Sequence, residues 1–363
     1  MKLLILASFA ISLAFSEISV SKTCTQYLCK PDSIDFPSES TCLYFENFTY
    51  YSRSCDNSEY YCDASTVSDT HYGYCVHVND THIPHTFLPG EDCHFDDDCF
   101  EENSCIDGKC KGLEKNENCT YHEECDVGLY CNETCKSQIA LGRVGCFNDY
   151  QCSNTGGCVV NSLTDSSLNV CVPYFTMRNY TVDLGCSDSG GINLICDSGF
   201  CLNNAGKSMC YPIPTSSASI PVECSSNSQC VSQAFGNDKL VFTQQCTCGY
   251  NSNGQSYCPL FLGDSLWKRY FKILKKWIDS DQSLNCNTAS RNSYNCMKNY
   301  WNQDDLDELA YFEAYASNYP IIYSIESCTM NVFFPSIEDI INNYNNMDSG
   351  VEKIVTFIIL GFI

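Results

Sequence analysis

Cysteine dominates the residues of this chain that could do chemistry, with 30 among 363 residues. Paired sulfurs form disulfides in an oxidising compartment and hold metals as thiolates in a reducing one. The chain contains no Cys-x-x-Cys, the spacing typical of zinc knuckles and thioredoxin-type redox pairs. The one close pair, Cys246 and Cys248, is expected to bridge to two different partners. We therefore predict up to fifteen disulfides, whose pairing the sequence leaves open.

Histidine could supply a catalytic base or a metal ligand, but its placement argues for neither. No Gly-x-Ser-x-Gly elbow offers a nucleophile, and no His-Glu-x-x-His pair offers a zinc site. A loop could chelate a metal through His77, His82 and His85, but we favour exposed histidines beside a proline. The chain has six histidines: His71, His77, His82, His85, His94 and His122. We expect no enzyme activity, metal or cofactor.

Carboxylates are the third candidate group, because calcium prefers oxygen ligands. The run 96–98 is three aspartates, and Glu101 and Glu102 follow closely. The glycine required by the calcium loop of an EF-hand is missing. A solvated acidic loop is the interpretation we favour over a weak calcium site.

Charge and the N-terminus indicate the compartment. There are 44 Asp and Glu against 20 Lys and Arg, and the resulting charge of −24 repels phosphate, so no nucleic-acid partner is expected. Lys2 precedes an apolar run from Leu3 to Phe15, and Ala14-Phe15-Ser16 fits the small-x-small pattern of a cleavage site. We therefore predict a signal peptide over 1–16, cleaved after Ser16. The run is too short to span a membrane.

Asn-x-Ser/Thr sequons are consistent with passage through the secretory route, where asparagine is glycosylated. The predicted glycosylation sites are Asn47, Asn79, Asn118, Asn132 and Asn179.

The end of the chain has two interpretations. Residues 354–363 are largely apolar, and the small residues Asp348, Ser349 and Gly350 precede them. A small-residue site followed by an apolar tail is typical of a GPI-attachment signal, predicted here over 348–363. The spacer is shorter than usual, and a buried final strand or helix end is the other interpretation. The membrane is therefore expected as a partner only through a lipid anchor.

The cysteine spacing divides the body of the chain. Segment 17–82 holds six cysteines, a linker follows at 83–90, and tandem modules, about five, occupy 91–260. Three successive copies keep the spacing Cys-x5-Cys-x5-Cys, which is hard to obtain by chance. The framework of these copies is Cys93, Cys99, Cys105, Cys110, Cys119, Cys125, Cys131, Cys135, Cys146, Cys152, Cys158 and Cys171.

A single module is too small to be held together by apolar burial. Between Cys93 and Cys110 the large apolar residues are Phe95, Phe100 and Ile106. Each contributes about 1.5–3 kcal/mol, whereas ordering the backbone costs about 1–2 kcal/mol per residue. Disulfides must offset the difference. We expect short hairpins and loops, little helix, and a beaded row of modules.

The modules resemble a known type. The matching segments are Gly90-Glu91-Asp92-Cys93, Asp98-Cys99, Ser104-Cys105, Asp107-Gly108-Lys109-Cys110, Glu124-Cys125, Leu129-Tyr130-Cys131 and Thr134-Cys135. They resemble the cysteine-rich module of the Dickkopf N-terminal type, and the region 93–258 is similar to tandem cysteine-rich surface proteins of ciliated protists. The resemblance rests on Cys, Gly and Asp positions. It implies an extracellular binding or coat protein and carries over no ligand.

Residues 261–347 change character and predict a small helical domain. A helix is expected from Leu266, capped by Asp264 or Ser265, and others over 304–317 and 337–344. The first has a wide apolar face opposite five basic residues. Binding to an anionic membrane surface is one interpretation. We favour packing against the acidic second helix.

The predicted fold class is therefore small disulfide-rich modules in tandem, with short β-hairpins and little helix, followed by a small, mainly α C-terminal domain. The predicted function is a secreted or surface-anchored glycoprotein acting as a coat, adhesion or receptor-type protein that binds an extracellular protein or glycan. The alternative is a soluble extracellular ligand or hydrolase inhibitor.

Overall fold

The computed structural model describes residues 24–341, apart from gaps at 56–59, 66, 78–84, 187–190, 205, 217–220, 233–240, 324 and 338–339. Within these residues the strands lie before position 260 and every helix longer than four residues lies after it. Fifteen disulfides join all thirty cysteines. The predicted fold class, disulfide-rich modules followed by a helical domain, is confirmed.

A five-stranded sheet begins the described chain. Its elements are β1 (Gln26–Cys29), β2 (Thr41–Glu46), β3 (Thr49–Ser52), β4 (Tyr60–Asp63), α1 (Val67–Thr70) and β5 (Tyr72–His77). The strand order is β1-β3-β2-β5-β4, with β1 parallel to β3 and the remaining pairs antiparallel. Cys42–Cys62 and Cys55–Cys75 cross-link this sheet. Leu43 lies fully buried on one of its faces.

Five modules follow, and all share one pairing scheme. The first cysteine of a module bonds to the third and the second to the last, and the additional Cys248 of the fifth module pairs with Cys24 outside it. The pairs are Cys93–Cys105 and Cys99–Cys110, Cys119–Cys131 and Cys125–Cys135, Cys146–Cys158 and Cys152–Cys171, Cys186–Cys201 and Cys196–Cys210, and Cys224–Cys246 and Cys230–Cys258. The two bridges of a module overlap along the chain, and they reduce the entropy of its unfolded state. This stabilises a module that has little hydrophobic core of its own.

Each module is built on short antiparallel strands. Their bounds are β6 (Ser104–Ile106), β7 (Lys109–Lys111), β8 (Leu129–Asn132), β9 (Thr134–Ser137), β10 (Gly156–Val159), β11 (Val170–Pro173), β12 (Gly191–Ile192), β13 (Phe200–Asn204), β14 (Lys207–Cys210), β15 (Val231–Ser232), β16 (Phe242–Thr243), β17 (Thr247–Cys248) and β18 (Ser256–Tyr257). Asp107 and Gly108 connect β6 to β7 with positive φ at both positions. A two-residue hairpin turn of this kind favours Asp-Gly.

Helices form the C-terminal part, at α2 (Ser265–Asp279), α3 (Tyr294–Tyr300), α4 (Gln303–Ser317), α5 (Tyr319–Ile322) and α6 (Ser327–Phe333). The two long helices begin one residue before their predicted starts. Asp264 occupies the cap position of α2, but its carboxylate accepts from Ser216 and Phe261 instead of the helix. The third predicted helix, 337–344, lies largely outside the described residues.

The main hydrophobic core lies between the two long helices. Trp277 of α2 and Phe312 of α4 are both fully buried. Lys276 on the solvent side of α2 pairs with Asp305 of α4. The apolar face of α2 is thus used for packing, and the acidic helix is its neighbour, as predicted.

The modules are not a beaded row, and that expectation is wrong. Val159 and Tyr174 of the third module and Ile195 of the fourth are buried in the same core as Trp277. Because one module buries so little apolar surface by itself, the helices supply the missing core. The modules therefore dock on the helical domain.

Two long-range disulfides join the N-terminal end of the described chain to distant segments. Cys24 bonds to Cys248 and Cys29 bonds to Cys328, across sequence separations of 224 and 299. Near them the Tyr27 ring stacks on Tyr250 at 4.2 Å and meets Phe333 of α6 edge-on at 5.3 Å. The N-terminal sheet is thereby held against both the fifth module and α6.

Replacing Cys29 and Cys328 together by alanine should lower the free energy of unfolding by about 2–4 kcal/mol, because the unfolded chain regains the freedom that the bridge removes. Urea unfolding measures this loss. Hydrogen exchange should show lower protection in β1 and β3, with β8 and β9 unchanged as the internal control. An unchanged unfolding midpoint would contradict the role given to this bridge.

Candidate functional site

The described sequons lie on exposed turns and strand ends. Asn47 follows β2 in a turn with φ of 49°. The other exposed acceptor side chains are Asn118, Asn132 and Asn179. These four predicted glycosylation sites therefore lie on the outside of the molecule. Asn79, the cleavage position Ser16 and the attachment residues Asp348, Ser349 and Gly350 lie outside the described residues.

The predicted framework cysteines are all bridged within their own modules. Cys246 and Cys248 pair with Cys224 and Cys24, so the expectation of two different partners is confirmed. Triplets of sulfur atoms within 4.8 Å of one another occur in several modules, for example at Cys93, Cys99 and Cys110. Each sulfur in these triplets belongs to a disulfide and is no thiolate ligand.

The acidic run at 96–98 has a structural use that the sequence reasoning missed. The Asp98 carboxylate accepts from the backbone N–H groups of His94 and Phe95, at 2.7 and 2.9 Å. Asp96 accepts from the N–H of Cys105 at 2.7 Å. These carboxylates hold a 3-10 turn, which satisfies backbone donors that the short element leaves unpaired.

The same acceptor position recurs in four modules. The residue three places before the second cysteine accepts from the backbone N–H of the third cysteine, at 2.7–3.1 Å. These acceptors are Asp96, His122, Asp149 and Asn227. In the fourth module the equivalent Asn193 accepts instead from Ile195. The signal was present in the sequence as a polar acceptor at a fixed distance from the second cysteine.

Two of the histidines that the structure describes form side-chain hydrogen bonds to the backbone of the first two modules. His85 has its Nδ1 3.0 Å from the carbonyl of Cys99, so this nitrogen donates. His122 has its Nδ1 3.1 Å from the N–H of Cys131, so this nitrogen accepts. His77 meets Tyr60 edge-on, and His82 lies outside the described residues.

A loop between α2 and α3 docks the modules through buried polar side chains. The amide of Asn287 donates to the carbonyls of His122 and Cys125 in the second module. The Asn154 amide of the third module donates in return to the carbonyls of Ser283 and Cys286. Both asparagines are fully buried, so each unmade bond would cost about 1–3 kcal/mol.

Arg291 is the one cation among the buried polar residues found in the described chain. Its guanidinium donates to the carbonyls of Asp149 and Gly156 and lies over the rings of Tyr150 and Tyr174. Burial raises the pKa of the Asp149 carboxyl, and the Arg291 charge acts in the opposite direction. The cation thus joins the third module to the helical domain.

A groove of about 540 Å³ lies between α2 and α4. Basic side chains of α2 line one side of the groove, and acidic side chains of α4 line the other. Burial raises the pKa of Glu308, and the Asp305 charge adds to that effect while the nearby cations of α2 oppose it. The groove is lined by Arg269, Lys272, Ile273, Lys276, Asp305 and Glu308. Because these basic and acidic side chains lie close together, their attraction stabilises the packing of α2 against α4.

Exposed aromatic side chains occur next to the 3-10 turns of the first three modules. Phe95 is 69% exposed, Tyr121 60% and Phe147 47%. Phe95 and Tyr121 each lie two residues after the first cysteine of their module, and Phe147 lies one residue after. We call these three residues the module aromatics. Large exposed rings on cross-linked turns form a candidate contact surface.

Fifteen disulfides are typical of an extracellular or secreted protein. In the part of the chain that the structure describes, no helix has the length and apolarity needed to cross a bilayer. No family model, curated protein or solved structure matches this chain.

Replacing Arg291 by methionine should destabilise the protein by about 3–5 kcal/mol, because two buried carbonyls and the Asp149 carboxylate lose their cation. Chemical unfolding followed by tryptophan fluorescence measures the change. The matched control is the exposed Arg178→Met, which should stay within about 0.5 kcal/mol of wild type. Equal stabilities for the two variants would show that the buried cation contributes nothing to docking.

Proposed function

We propose that the chain is an extracellular binding protein of the coat, adhesion or receptor type, and that the module aromatics contact its partner. The observation that carries this proposal is the exposure of Phe95, Tyr121 and Phe147 at related places in three successive modules. Aromatic rings supply much contact area at a low cost in side-chain entropy, and they are enriched at binding hot spots.

The rigidity of the modules supports this proposal. Each module aromatic lies within two residues of a cysteine that forms a disulfide. A side chain that is already positioned loses less freedom when it binds.

Charge indicates which partners suit the surface. Residues 91–137 contain 14 Asp and Glu against four Lys. Such a segment repels polyanions and favours a basic protein surface or a neutral glycan. We therefore propose an extracellular protein or glycan as the partner, and no nucleic acid.

A binding role is also favoured over catalysis by the way the polar groups are used. Asp98 and His122 accept hydrogen bonds from backbone N–H groups of their own modules. A general base needs its acceptor atom directed at a substrate. These acceptor atoms are directed at the backbone, which supports a non-enzymatic role.

The module aromatics provide a direct test. Phe95→Ser, Tyr121→Ser and Phe147→Ser combined should reduce binding of the fluorescently labelled chain to intact cells of its source at least tenfold. Unlabelled chain should compete with the wild type, showing that the sites are saturable.

The matched control combines Ile192→Ser, Leu284→Ser and Tyr294→Ser, which are also large, exposed apolar residues. This control should bind like the wild type. An equal loss in both triple variants would mean that general surface hydrophobicity, and not the module aromatics, drives the binding.

The alternative is a soluble extracellular ligand or hydrolase inhibitor, which would share the modules and lack an anchor. The resemblance to Dickkopf-type modules and to protist surface proteins is compatible with both proposals. The choice depends on the tail at 348–363, which lies outside the described residues.

Phosphatidylinositol-specific phospholipase C distinguishes the two proposals. On cells secreting the full chain, we expect the enzyme to release the protein with a C-terminus near Asp348–Gly350 that carries ethanolamine-glycan. Mass spectrometry of the C-terminal peptide reads the result. An intact Ile363 in the medium without enzyme treatment would support the soluble ligand or inhibitor.

A further inference from the structure

The second module differs from its neighbours at one atom. In the first, third and fifth modules the acceptor for the third cysteine's N–H is a carboxylate or amide oxygen, from Asp96, Asp149 and Asn227. In the second module it is Nδ1 of His122, at 3.1 Å from the Cys131 nitrogen. Imidazole is the acceptor in this set whose ordinary pKa lies near 6.5.

The bond to Cys131 requires neutral imidazole. Nδ1 accepts a hydrogen there, so it carries no proton and the proton of the neutral ring is on Nε2. Protonation at Nδ1 would place two N–H groups against each other. The bond would then be replaced by a repulsive contact, and the 3-10 turn would lose its tie to β8.

His122 also lies at the junction between elements. Its ring packs on Tyr150 of the third module, with ring centroids 4.8 Å apart, and its carbonyl accepts from Asn287. The charged groups facing it are Glu123 of its own turn and Arg291 of the helical domain. Partial burial and the Arg291 charge lower the pKa of His122, while Glu123 acts against them.

We propose that His122 is a proton-sensitive contact that loosens the docking of the second module in a mildly acidic compartment. Neutral His122 stabilises the fold, because its pKa is lower in the folded chain than in the unfolded chain. The stabilisation is complete above about pH 6.5 and is lost as the pH falls from there toward the folded-state pKa. Between these two pH values, the equilibrium constant for local opening of the module changes by at most about tenfold per pH unit.

His85, whose side chain also has a backbone partner, differs from His122 in its hydrogen-bond geometry. His85 donates through Nδ1 to the Cys99 carbonyl, so a second proton on Nε2 leaves this bond in place. His85 therefore serves as the internal control.

Hydrogen exchange of the full, oxidised chain at pH 7.5 and 5.5, corrected for intrinsic rates, provides the test. In the wild type, protection of the peptide containing Cys131 should fall severalfold on acidification, by at most about tenfold. His122→Asn, which copies the oxygen acceptor of Asn227, should keep its protection at both pH values. His85→Asn should respond to acid like the wild type, and His122→Phe should be poorly protected at both.

If His122→Phe fails to fold, measuring the protonation state of the His122 ring in the wild type still tests the proposal. Nitrogen NMR of histidine-labelled wild type should show His122 as the Nε2–H tautomer at pH 7.5, with a pKa below 6.5. Equal loss of protection in the wild type and His122→Asn would overturn the proposal. A protonated Nδ1 at pH 7.5 would also overturn it.

Discussion

Paired disulfides stabilise modules that are too small to fold by apolar burial. A module of about twenty residues has too little apolar surface to offset the entropy of ordering its chain. Two interlocked disulfides reduce that entropy in the unfolded state. They also fix where the remaining polar groups lie, so one acceptor side chain can satisfy a cysteine N–H in module after module. The binding surface that we propose depends on turns held in this way.

Disulfides alone do not account for the arrangement of the modules. The third and fourth modules place Val159, Tyr174 and Ile195 in a core that α2 and α4 complete. Polar contacts made by Asn154, Asn287 and Arg291 fix the orientation of this docking. Buried hydrogen bonds of this kind are directional, whereas apolar burial is not. The helical domain therefore acts as the common support for the modules, and the two long-range bridges tie the first sheet to it.

Charge has a different role in the two parts of the molecule. The modules carry an excess of carboxylates, several of which accept hydrogen bonds from backbone N–H groups. The basic residues concentrated on α2 face an acidic helix and compensate it locally. Both sets therefore contribute to the fold, and the excess of carboxylates over basic residues leaves the chain with a net charge of −24. The proposed partner must tolerate that charge, which favours a basic protein or a neutral glycan.

The class of structure and several of its local elements could be predicted from the amino-acid sequence. Cysteine spacing indicated the modules, and the start of α2 and the extent of α4 were predicted to within one residue. These features depend on neighbours along the chain, which a sequence displays directly.

The disulfide pairing, the docking of modules on the helices and the role of His122 as an acceptor became visible only in the folded structure. Cysteine spacing alone allows many disulfide pairings, and Cys248 pairs with Cys24 outside its own module. Arg291 carried no sequence signal, because its partners are carbonyl oxygens more than 130 positions away. Such contacts form between segments that are far apart in the sequence, and local residue patterns do not predict which segments come together.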